Sequence, residues 1–457
     1  MQPYEFIIEA WKLLRLASSI ALTVCAAALI ALIETLVASA LGTEQLAGVG
    51  LGVTLFNLVF VAGLGVVVSL TPLVARRVGS GEIDAGKQTA QHGIVVTLGL
   101  SCIGLIIFAF VGPILTAFGA DARTISHAKW YIAGAALALP GQMIYIAVRS
   151  IVVALDETYI TTVAMVASIP LYIVFAIALS GGRYAIFPLG VFGIGLAYSL
   201  TSTIMAVSIF LLGRKSNTID LPSFLAIPAS LEWSRMKEIL QLGIPMAARI
   251  MLLEGALPAA TGLVAYLGAD ALVVHNIAIR LISLGSIVAF GISNAATARI
   301  SHALGAGDRR LAKSITLTAS AVSVVSGLLV VAVIYANLDD IVAAFGIAYE
   351  GGAAVTAQGV LAISCIFLLA ETVQGPFIGS LVAFNDTRSP LIIVFVGLWL
   401  FGTVISATLT HLLNLGITGA WLGFAIANSL TALMFMWASL RHFYIGRIAS
   451  GALETRA

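Results

Sequence analysis

The feature that most constrains this chain is a succession of apolar runs, each about 20 residues or longer. The runs lie near residues 16–40, 46–75, 88–112, 126–150, 158–180, 188–212, 238–266, 270–300, 312–336, 352–382, 390–412 and 418–440. Only 10% of the residues are charged, whereas a soluble protein has about a quarter. Because an apolar run of this length crosses a bilayer as a helix, the sequence predicts an all-α polytopic membrane protein with twelve transmembrane helices, called spans 1 to 12.

The distribution of lysine and arginine predicts the orientation. If the amino terminus is cytoplasmic, 18 of the 23 basic residues fall on the cytoplasmic side and two lie within spans. The opposite side holds only Arg123, Lys129 and Arg183. The positive-inside rule therefore predicts a multi-pass protein of the plasma (inner) membrane with both termini in the cytoplasm. The first run is too long for the apolar part of a signal peptide, so we expect it to be retained as span 1.

The two halves of the chain repeat each other at an offset of 226 residues. Residues 41–50, 78–87 and 189–196 align with 267–276, 304–313 and 415–422 at this offset. LDET at 155–158 aligns with FNDT at 384–387 only at an offset of 229, so insertions and deletions occur between these matches. The sequence therefore predicts an amino-terminal lobe (1–212) and a carboxyl-terminal lobe (238–457), each of six helices, joined by a cytoplasmic linker (213–237). Because each lobe has an even number of spans, both lobes have the same topology. We therefore expect an axis along the membrane normal to relate them, with the substrate path between them.

Several motifs in this order resemble the multidrug and toxic compound extrusion (MATE) family, within the multidrug/oligosaccharidyl-lipid/polysaccharide flippase superfamily. They are LGTEQLAGVGLG, VGSGEIDAGK, VVHNIAIR, ALGAGDRRLAK, SLVAFNDTRSP and LGITGAWLG. The resemblance implies two six-helix lobes in a V around a central cavity. It also implies an antiporter that exports amphipathic, often cationic, compounds in exchange for protons or sodium ions.

Five charged residues lie well inside the apolar runs: Glu34, Glu254, Glu371, Arg249 and Arg280. A charge at the centre of a transmembrane helix costs roughly 2.5 to 3.5 kcal/mol, so such residues usually face a cavity or a partner. The alternative is that they form ion pairs between helices or lie nearer the membrane surface. In the MATE family acidic residues of spans 7 and 10 carry ion coupling, and Glu254 and Glu371 match those positions.

Two prolines follow the acidic residues of the second half. Pro258 has no N–H, so the carbonyl of Glu254 loses its helical partner and a kink is expected there. Pro376 predicts a second irregular helix after Glu371. Arg280 is expected to pair with one of these glutamates, since Arg249 lies about 140° from Glu254 around span 7. His275 is a further titratable candidate, although a buried packing histidine is the more common case.

Proton coupling is favoured over sodium coupling by the first half. Residues 167–179 contain no acid, whereas a sodium site needs several oxygen ligands. A carboxyl group removed from water is more readily protonated, so a proton and a cationic substrate would compete for it. No cofactor is expected beyond the coupling ion, H⁺ or Na⁺. The cysteines Cys25, Cys102 and Cys365 are expected to be buried apolar side chains rather than metal ligands.

The expected partners are a small-molecule substrate and membrane lipids, without nucleic acid. Motifs such as Gly48-xxx-Gly52 pack helices within or between chains, so the oligomeric state stays open and a monomer is compatible with the sequence.

The main alternative function is an exporter or flippase for an anionic organic substrate or a lipid-linked precursor, which Arg249 and Arg280 would suit. A membrane enzyme is not expected, because the spans contain neither HExxH nor GxSxG. A structural or receptor-like bundle would not explain the repeat and the acids.

Overall fold

The computed structural model describes residues 3–117, 119–181, 186–214, 220–344 and 352–454. Within these ranges all regular structure is helical. This follows from the long apolar runs, because in lipid only a helix satisfies every backbone N–H and C=O within one segment. The helices that form the membrane spans are Pro3–Leu41, Thr43–Val67 with Leu70–Gly79, Ile83–Ala109, Ala122–Ala135 with Ala138–Ala154, Tyr159–Ser180, Gly190–Gly213, Trp233–Ala265, Ala269–Gly305, Arg309–Ala336, Gly352–Ala383, Arg388–Leu412 and Gly416–Glu454. Three short helices, Val111–Ala117, Leu221–Leu225 and Leu338–Ala344, lie between spans.

The twelve predicted spans are confirmed in the described part of the chain. Eleven helices are long and apolar enough to cross a membrane, and a twelfth span is a pair of helices, Ala122–Ala135 and Ala138–Ala154, bent by 52°. The bend, which the sequence analysis did not predict, has a local cause. Pro140 lacks an N–H and its ring crowds the carbonyl four residues earlier, at Ala136, where the helix breaks.

The chain forms two compact units. One comprises Leu22–Ala247 and is called unit N; the other comprises the described residues within Met1–Ala21 and Ala248–Ala457 and is called unit C. The division falls inside the helices of spans 1 and 7. The start of span 1 thus packs in unit C, and the start of span 7 packs in unit N. The predicted lobes describe the repeat of the sequence, whereas the units describe packing.

The segments that each unit takes from the other half are held by close contacts and ion pairs. In unit C, a Cβ added to Gly291 would lie 2.6 Å from the carbonyl oxygen of Ala17. Arg299 donates to the Glu9 carboxylate at 2.6 Å, with only 15% and 11% of the two side chains exposed. In unit N, Arg77 donates to the Glu238 carboxylate at 2.8 Å. Glycine at the crossing lets the backbones approach, and the ion pairs fix the helix starts.

The described part of the polar segment between spans 6 and 7, residues 220–232, packs within unit N. Gln91 of span 3 donates to the carbonyl of Ser223 at 2.8 Å. The backbone N–H of Glu232 donates to Nε2 of His92 at 3.0 Å, while Nδ1 of His92 lies 2.7 Å from the carbonyl of Gln88. Because a carbonyl only accepts, Nδ1 carries the proton and Nε2 is the acceptor.

Matching turns show that the repeat extends to the backbone. Glycines with positive φ occur in pairs at the 226-residue offset, namely Gly42 with Gly268, Gly81 with Gly307 and Gly190 with Gly416. After spans 4 and 10, Asp156 and Asn385 both have φ of 61°, at the shifted offset of 229. These are left-handed conformations that glycine, aspartate and asparagine adopt most readily.

Two details of the sequence analysis are settled by packing. The Gly48-xxx-Gly52 motif packs span 2 on span 4, since an added Cβ would meet His127 or Tyr131 of the same chain. The expectation for the cysteines was wrong in part, because Cys365 is buried but Cys25 and Cys102 are exposed. On a membrane span an exposed apolar side chain is compatible with contact to lipid, and hydropathy alone does not distinguish that face from the core.

Candidate functional site

The acid of unit N, Glu34, is almost sealed within the protein. Its side chain lies in span 1 with 5% of its surface exposed. Its carboxylate accepts a hydrogen bond from the hydroxyl of Tyr131 at 2.7 Å. Tyr131 is itself 1% exposed, and Gly52 leaves room for its ring, since a Cβ there would lie 2.5 Å from the ring. The structure thus fixes both the acid and its hydrogen-bond donor.

Two further tyrosines complete a phenolic shell around Glu34, made of Tyr131, Tyr172 and Tyr198. Tyr172 and Tyr198 lie within electrostatic reach of the carboxylate. Their ring centroids are 6.3 Å apart, and the buried hydroxyl of Tyr172 has no hydrogen-bond partner in the part of the chain that the structure describes. Glu34 thus has one observed neutral donor, Tyr131, and no ion-pair partner among the described residues. Sequence analysis missed this shell, because tyrosine is common in membrane spans and carries no charge that would mark it.

The two acids of unit C lie near each other in a more open setting. Glu371 of span 10 is half-buried and accepts a hydrogen bond from the Ser286 hydroxyl of span 8 at 2.7 Å. Glu254 lies within electrostatic reach of Glu371. It belongs to an exposed stripe of span 7 that includes Met251 and Pro258. Each of the two carboxylates therefore senses the charge of the other, so that a proton or a cation bound at one relieves the repulsion between them.

Span 11 supports the helix that carries Glu254. Residues Phe395–Gly402 and Thr408–Leu412 of this span are π-helical, which the sequence analysis did not predict. Trp399, in the first π-helical segment, donates its indole N–H to the carbonyl of Leu252 at 2.9 Å. Its ring also borders Gly255, where an added Cβ would lie 3.4 Å away. π-Helical turns often occur at functional sites, and this one packs directly beside Glu254.

The two intramembrane arginines do not pair with these acids. Among the described residues neither Arg249 nor Arg280 lies within 4 Å of a carboxylate oxygen. Arg280 is exposed, whereas Arg249 is half-buried and its Nε is cut off from solvent without a hydrogen-bond partner. The expected pairing of Arg280 with a glutamate is therefore absent from this structure.

His275 lies in the core of unit C. It is 0% exposed, and its Nε2 lies 3.1 Å from the Thr261 hydroxyl. Its ring centroid is 5.5 Å from that of Trp421, and within the described ranges neither Nδ1 of His275 nor the indole N–H of Trp421 has a hydrogen-bond partner. The environment is that of a packing histidine, the alternative that the sequence left open.

Both prolines lie inside continuous helices. Pro258 is within Trp233–Ala265 and Pro376 within Gly352–Ala383. The kinks expected from them stay predictions. In the described ranges no three His, Cys, Asp or Glu side chains converge in a way that could hold a metal ion.

Comparison with known proteins reveals similarity over nearly the whole chain. A family model described as MatE matches residues 19–178 and 245–408. The matches begin 226 residues apart, which is the offset of the repeat. Proteins named "Probable multidrug resistance protein NorM" are 28% identical over 397 residues in Bradyrhizobium diazoefficiens (85% of this chain, 84% of the relative) and 28% over 437 residues in Pseudomonas putida (93% and 92%).

Solved structures share the fold. A MATE protein in complex with MaL6 has a TM-score of 0.86 at 19% identity, covering 96% of this chain and 97% of the other. A superfamily transporter from Pyrococcus furiosus, described as having a binding pocket of reverse polarity, has a TM-score of 0.83 at 21% identity and covers 95% and 96%. These identities support the fold alone.

Proposed function

Because the chain belongs to the MatE family, we propose that it is a multidrug exporter that moves amphipathic, cationic organic compounds out of the cell in exchange for protons. The chain is a membrane transporter and not an enzyme. The observation that carries the proposal is that Glu34, Glu254 and Glu371 lie in membrane spans without an ion-pair partner among the described residues. An acid kept in a span without a fixed counter-charge is free to bind a proton or a cation.

The two acids of unit C are the better placed for exchange. Glu254 is exposed, and an ionisable side chain in a span faces water rather than lipid. A cationic substrate binds the ionised pair of Glu254 and Glu371, and protons from the outside neutralise the same carboxylates and release it. Since proton and substrate compete for one site, inward movement of protons drives outward movement of the substrate.

Protons are favoured over sodium ions by the surroundings of Glu34. Its carboxylate is contacted by the hydroxyl of Tyr131, which donates a hydrogen bond, and the neighbouring groups are phenols. Sodium, a hard cation, prefers several oxygen ligands turned toward it. We place the protein in the inner membrane with both termini in the cytoplasm, as the distribution of basic residues predicts.

The test is efflux of a cationic dye from proteoliposomes under a pH gradient or a sodium gradient, each imposed alone. The proposal expects efflux driven by the pH gradient and abolished by Glu254→Gln and by Glu371→Gln. Glu44→Gln is the matched control, because Glu44 is an exposed glutamate paired with Arg123 outside the site. Sodium-driven efflux would overturn the coupling ion, and efflux that survives both glutamine variants would overturn the site.

A second candidate is export or flipping of an anionic organic substrate. The unpaired Arg249 is the observation in its favour. In the same assay, transport of an organic anion without transport of any cationic dye would establish this alternative.

A further inference from the structure

One end of unit C carries basic side chains that no acid of the described chain pairs with. They lie at the starts of spans 9 and 11 and at the end of span 12. Together they are called the basic end of unit C, and they are Arg309, Arg310, Lys313, Arg388 and Arg441. Among the described residues none of them lies within 4 Å of a carboxylate oxygen. Their charges are therefore available to a ligand.

Contacts between the helices bring these residues to one place. Nζ of Lys313 lies 5.0 Å from the centroid of the Tyr444 ring, so the start of span 9 meets the end of span 12. Nε2 of His442 in span 12 lies 2.9 Å from the carboxylate of Asp386, in the turn that leads to Arg388. The basic end of unit C is thus one surface to which three spans contribute.

The surface stays positively charged although two acids adjoin it. The carboxylate of Asp308 accepts a hydrogen bond from the N–H of Leu311 at 2.8 Å, and that of Asp386 is bonded to its own turn and to span 12. Arg309 and Arg310 stand in the first turn of span 9, where the helix dipole is positive and disfavours cations. A bound anion would relieve both the repulsion among the cations and their conflict with the dipole.

The repeat-related loop of unit N has the opposite character. Ile83 and Asp84 stand at the positions of Arg309 and Arg310, and Nζ of Lys87 lies 3.8 Å from the Asp84 carboxylate. Other basic residues of unit N are also bound to acids, namely Arg77 to Glu238 and Arg235 to Glu232. The unpaired positive charge is therefore a feature of unit C that the shared fold does not require.

An exposed stripe of span 12 leads from the apolar part of the helix to the basic end of unit C. Leu430, Leu433, Trp437, Arg441 and Tyr444 are all exposed and follow one another at spacings of three or four residues, so they share one helix face. The guanidinium of Arg441 lies 5.5 Å from the centroid of the Trp437 ring. Tryptophan and tyrosine are typical of the level where acyl chains meet headgroups. Along this face the side chains change from apolar to aromatic to cationic, which is the order that a phospholipid with an anionic headgroup matches.

We propose that the basic end of unit C binds the headgroup of an anionic phospholipid whose acyl chains lie along the exposed stripe of span 12. Each lysine or arginine near an anionic lipid surface strengthens association by about fivefold. Lys313 and Arg441 are the central residues, because each lies against an aromatic ring that holds its charge at the headgroup level. The inference does not depend on which compound the protein exports.

The experiment compares two lipids with the same acyl chains, dioleoyl phosphatidylglycerol, which is anionic, and dioleoyl phosphatidylcholine, which has no net charge. The purified full chain in detergent is titrated with each lipid, and native mass spectrometry gives the dissociation constant of the first bound lipid. We expect the wild-type protein to bind phosphatidylglycerol at least about tenfold more tightly. Lys313→Gln combined with Arg441→Gln should weaken binding of phosphatidylglycerol at least about tenfold and change binding of phosphatidylcholine by less than about threefold.

The matched control is Lys87→Gln combined with Arg235→Gln, which removes the same number of charges from unit N, where both are paired with acids. It should change binding of phosphatidylglycerol by less than about threefold. An equal loss in the control would show that only the total charge matters and would overturn the site. A wild-type protein that does not prefer phosphatidylglycerol would overturn it without any variant. Displacement of phosphatidylglycerol by glycerol 3-phosphate, which lacks the acyl chains, would assign the surface to a soluble anion instead of a lipid.

Discussion

In unit N the acid Glu34 is 5% exposed and bound to Tyr131 within a phenolic shell, whereas in unit C Glu254 is exposed and Glu371 is half-buried beside Ser286. The backbones of the two units nevertheless turn at corresponding positions, as the positive φ values of Gly42 and Gly268 illustrate. The two halves of the repeat thus share the backbone conformation of their turns. The surroundings of their acidic side chains differ. A sealed acid and an open acid respond differently to water, substrate and substitution.

The largest expected difference is in access from water. In a chain without native cysteines, Glu254→Cys should react with a membrane-impermeant thiol reagent at least about 100-fold faster than Glu34→Cys, because reaction requires an exposed thiolate. The rate of mass increase measures it. Equal rates at the two positions would abolish the contrast between a sealed and an open acid.

The next effect concerns the hydrogen-bond donors to two of the acids, Tyr131 for Glu34 and Ser286 for Glu371. Tyr131→Phe removes the hydrogen bond to a sealed carboxylate that water does not replace, so efflux should fall on the order of 10-fold. Ser286→Ala removes the donor to the half-buried Glu371, where water can substitute, and should change efflux by less than about threefold. Initial rates of dye efflux compare the two variants, and a larger loss for Ser286→Ala would reverse the assignment.

A further effect, on stability rather than on transport, is expected at the turn after span 10. The Asp386 carboxylate accepts bonds from the N–H and hydroxyl of Ser389 and lies 2.9 Å from Nε2 of His442. Partial burial opposes ionisation of Asp386, but these donors and His442 outweigh it and lower its pKa below the ordinary value. The stabilisation that the ionised Asp386 contributes is thus present above the pKa of this carboxyl group in the unfolded chain. It is lost as the pH falls through the lower pKa that the group has in the folded state.

Asp386→Asn should therefore lower the free energy of unfolding by about 2 kcal/mol at pH 7 and less in acid. Thermal unfolding at several pH values measures this. The corresponding residue after span 4 is Glu157, so Glu157→Gln is the matched control and should have little effect. A variant Asp386→Asn that loses as much stability at pH 3 as at pH 7 would contradict the assignment.

The smallest expected effect tests the symmetry of the turns. Asp156 and Asn385 have the same φ of 61°. Replacing either residue by alanine should cost about 1 kcal/mol, because an alanine Cβ is crowded in the left-handed region. Unfolding measurements should give equal losses for the two variants, and unequal losses would show that the turns are held by different surroundings.

Much of the fold follows from sequence because hydropathy and lipid leave few choices. The twelve spans and the acids Glu34, Glu254 and Glu371 stand out as apolar runs and as charges within them. The tyrosines around Glu34 and the hydroxyl of Ser286 do not, since they resemble ordinary residues of a span until tertiary packing brings them to the acid. The π-helical turns of span 11 leave no periodic signal either. Pairing of Arg280 was expected because Arg249 does not share a helical face with Glu254 and span 8 neighbours span 7, but neighbouring spans do not determine the direction in which a side chain points.

The division of spans 1 and 7 between the units has a consequence for biosynthesis. The start of span 1 emerges from the ribosome before the other spans, yet Glu9 and Ala17 pack against Arg299 and Gly291, which follow them in the chain by 290 and 274 residues. Unit N, in contrast, is complete in the nascent chain once Ala247 has been made. The newly inserted first helix must therefore wait, half of it docked and half of it unassembled, until span 8 arrives. Assembly of the protein is therefore complete only when the start of span 1, made early, packs against the helices of unit C, which are made last.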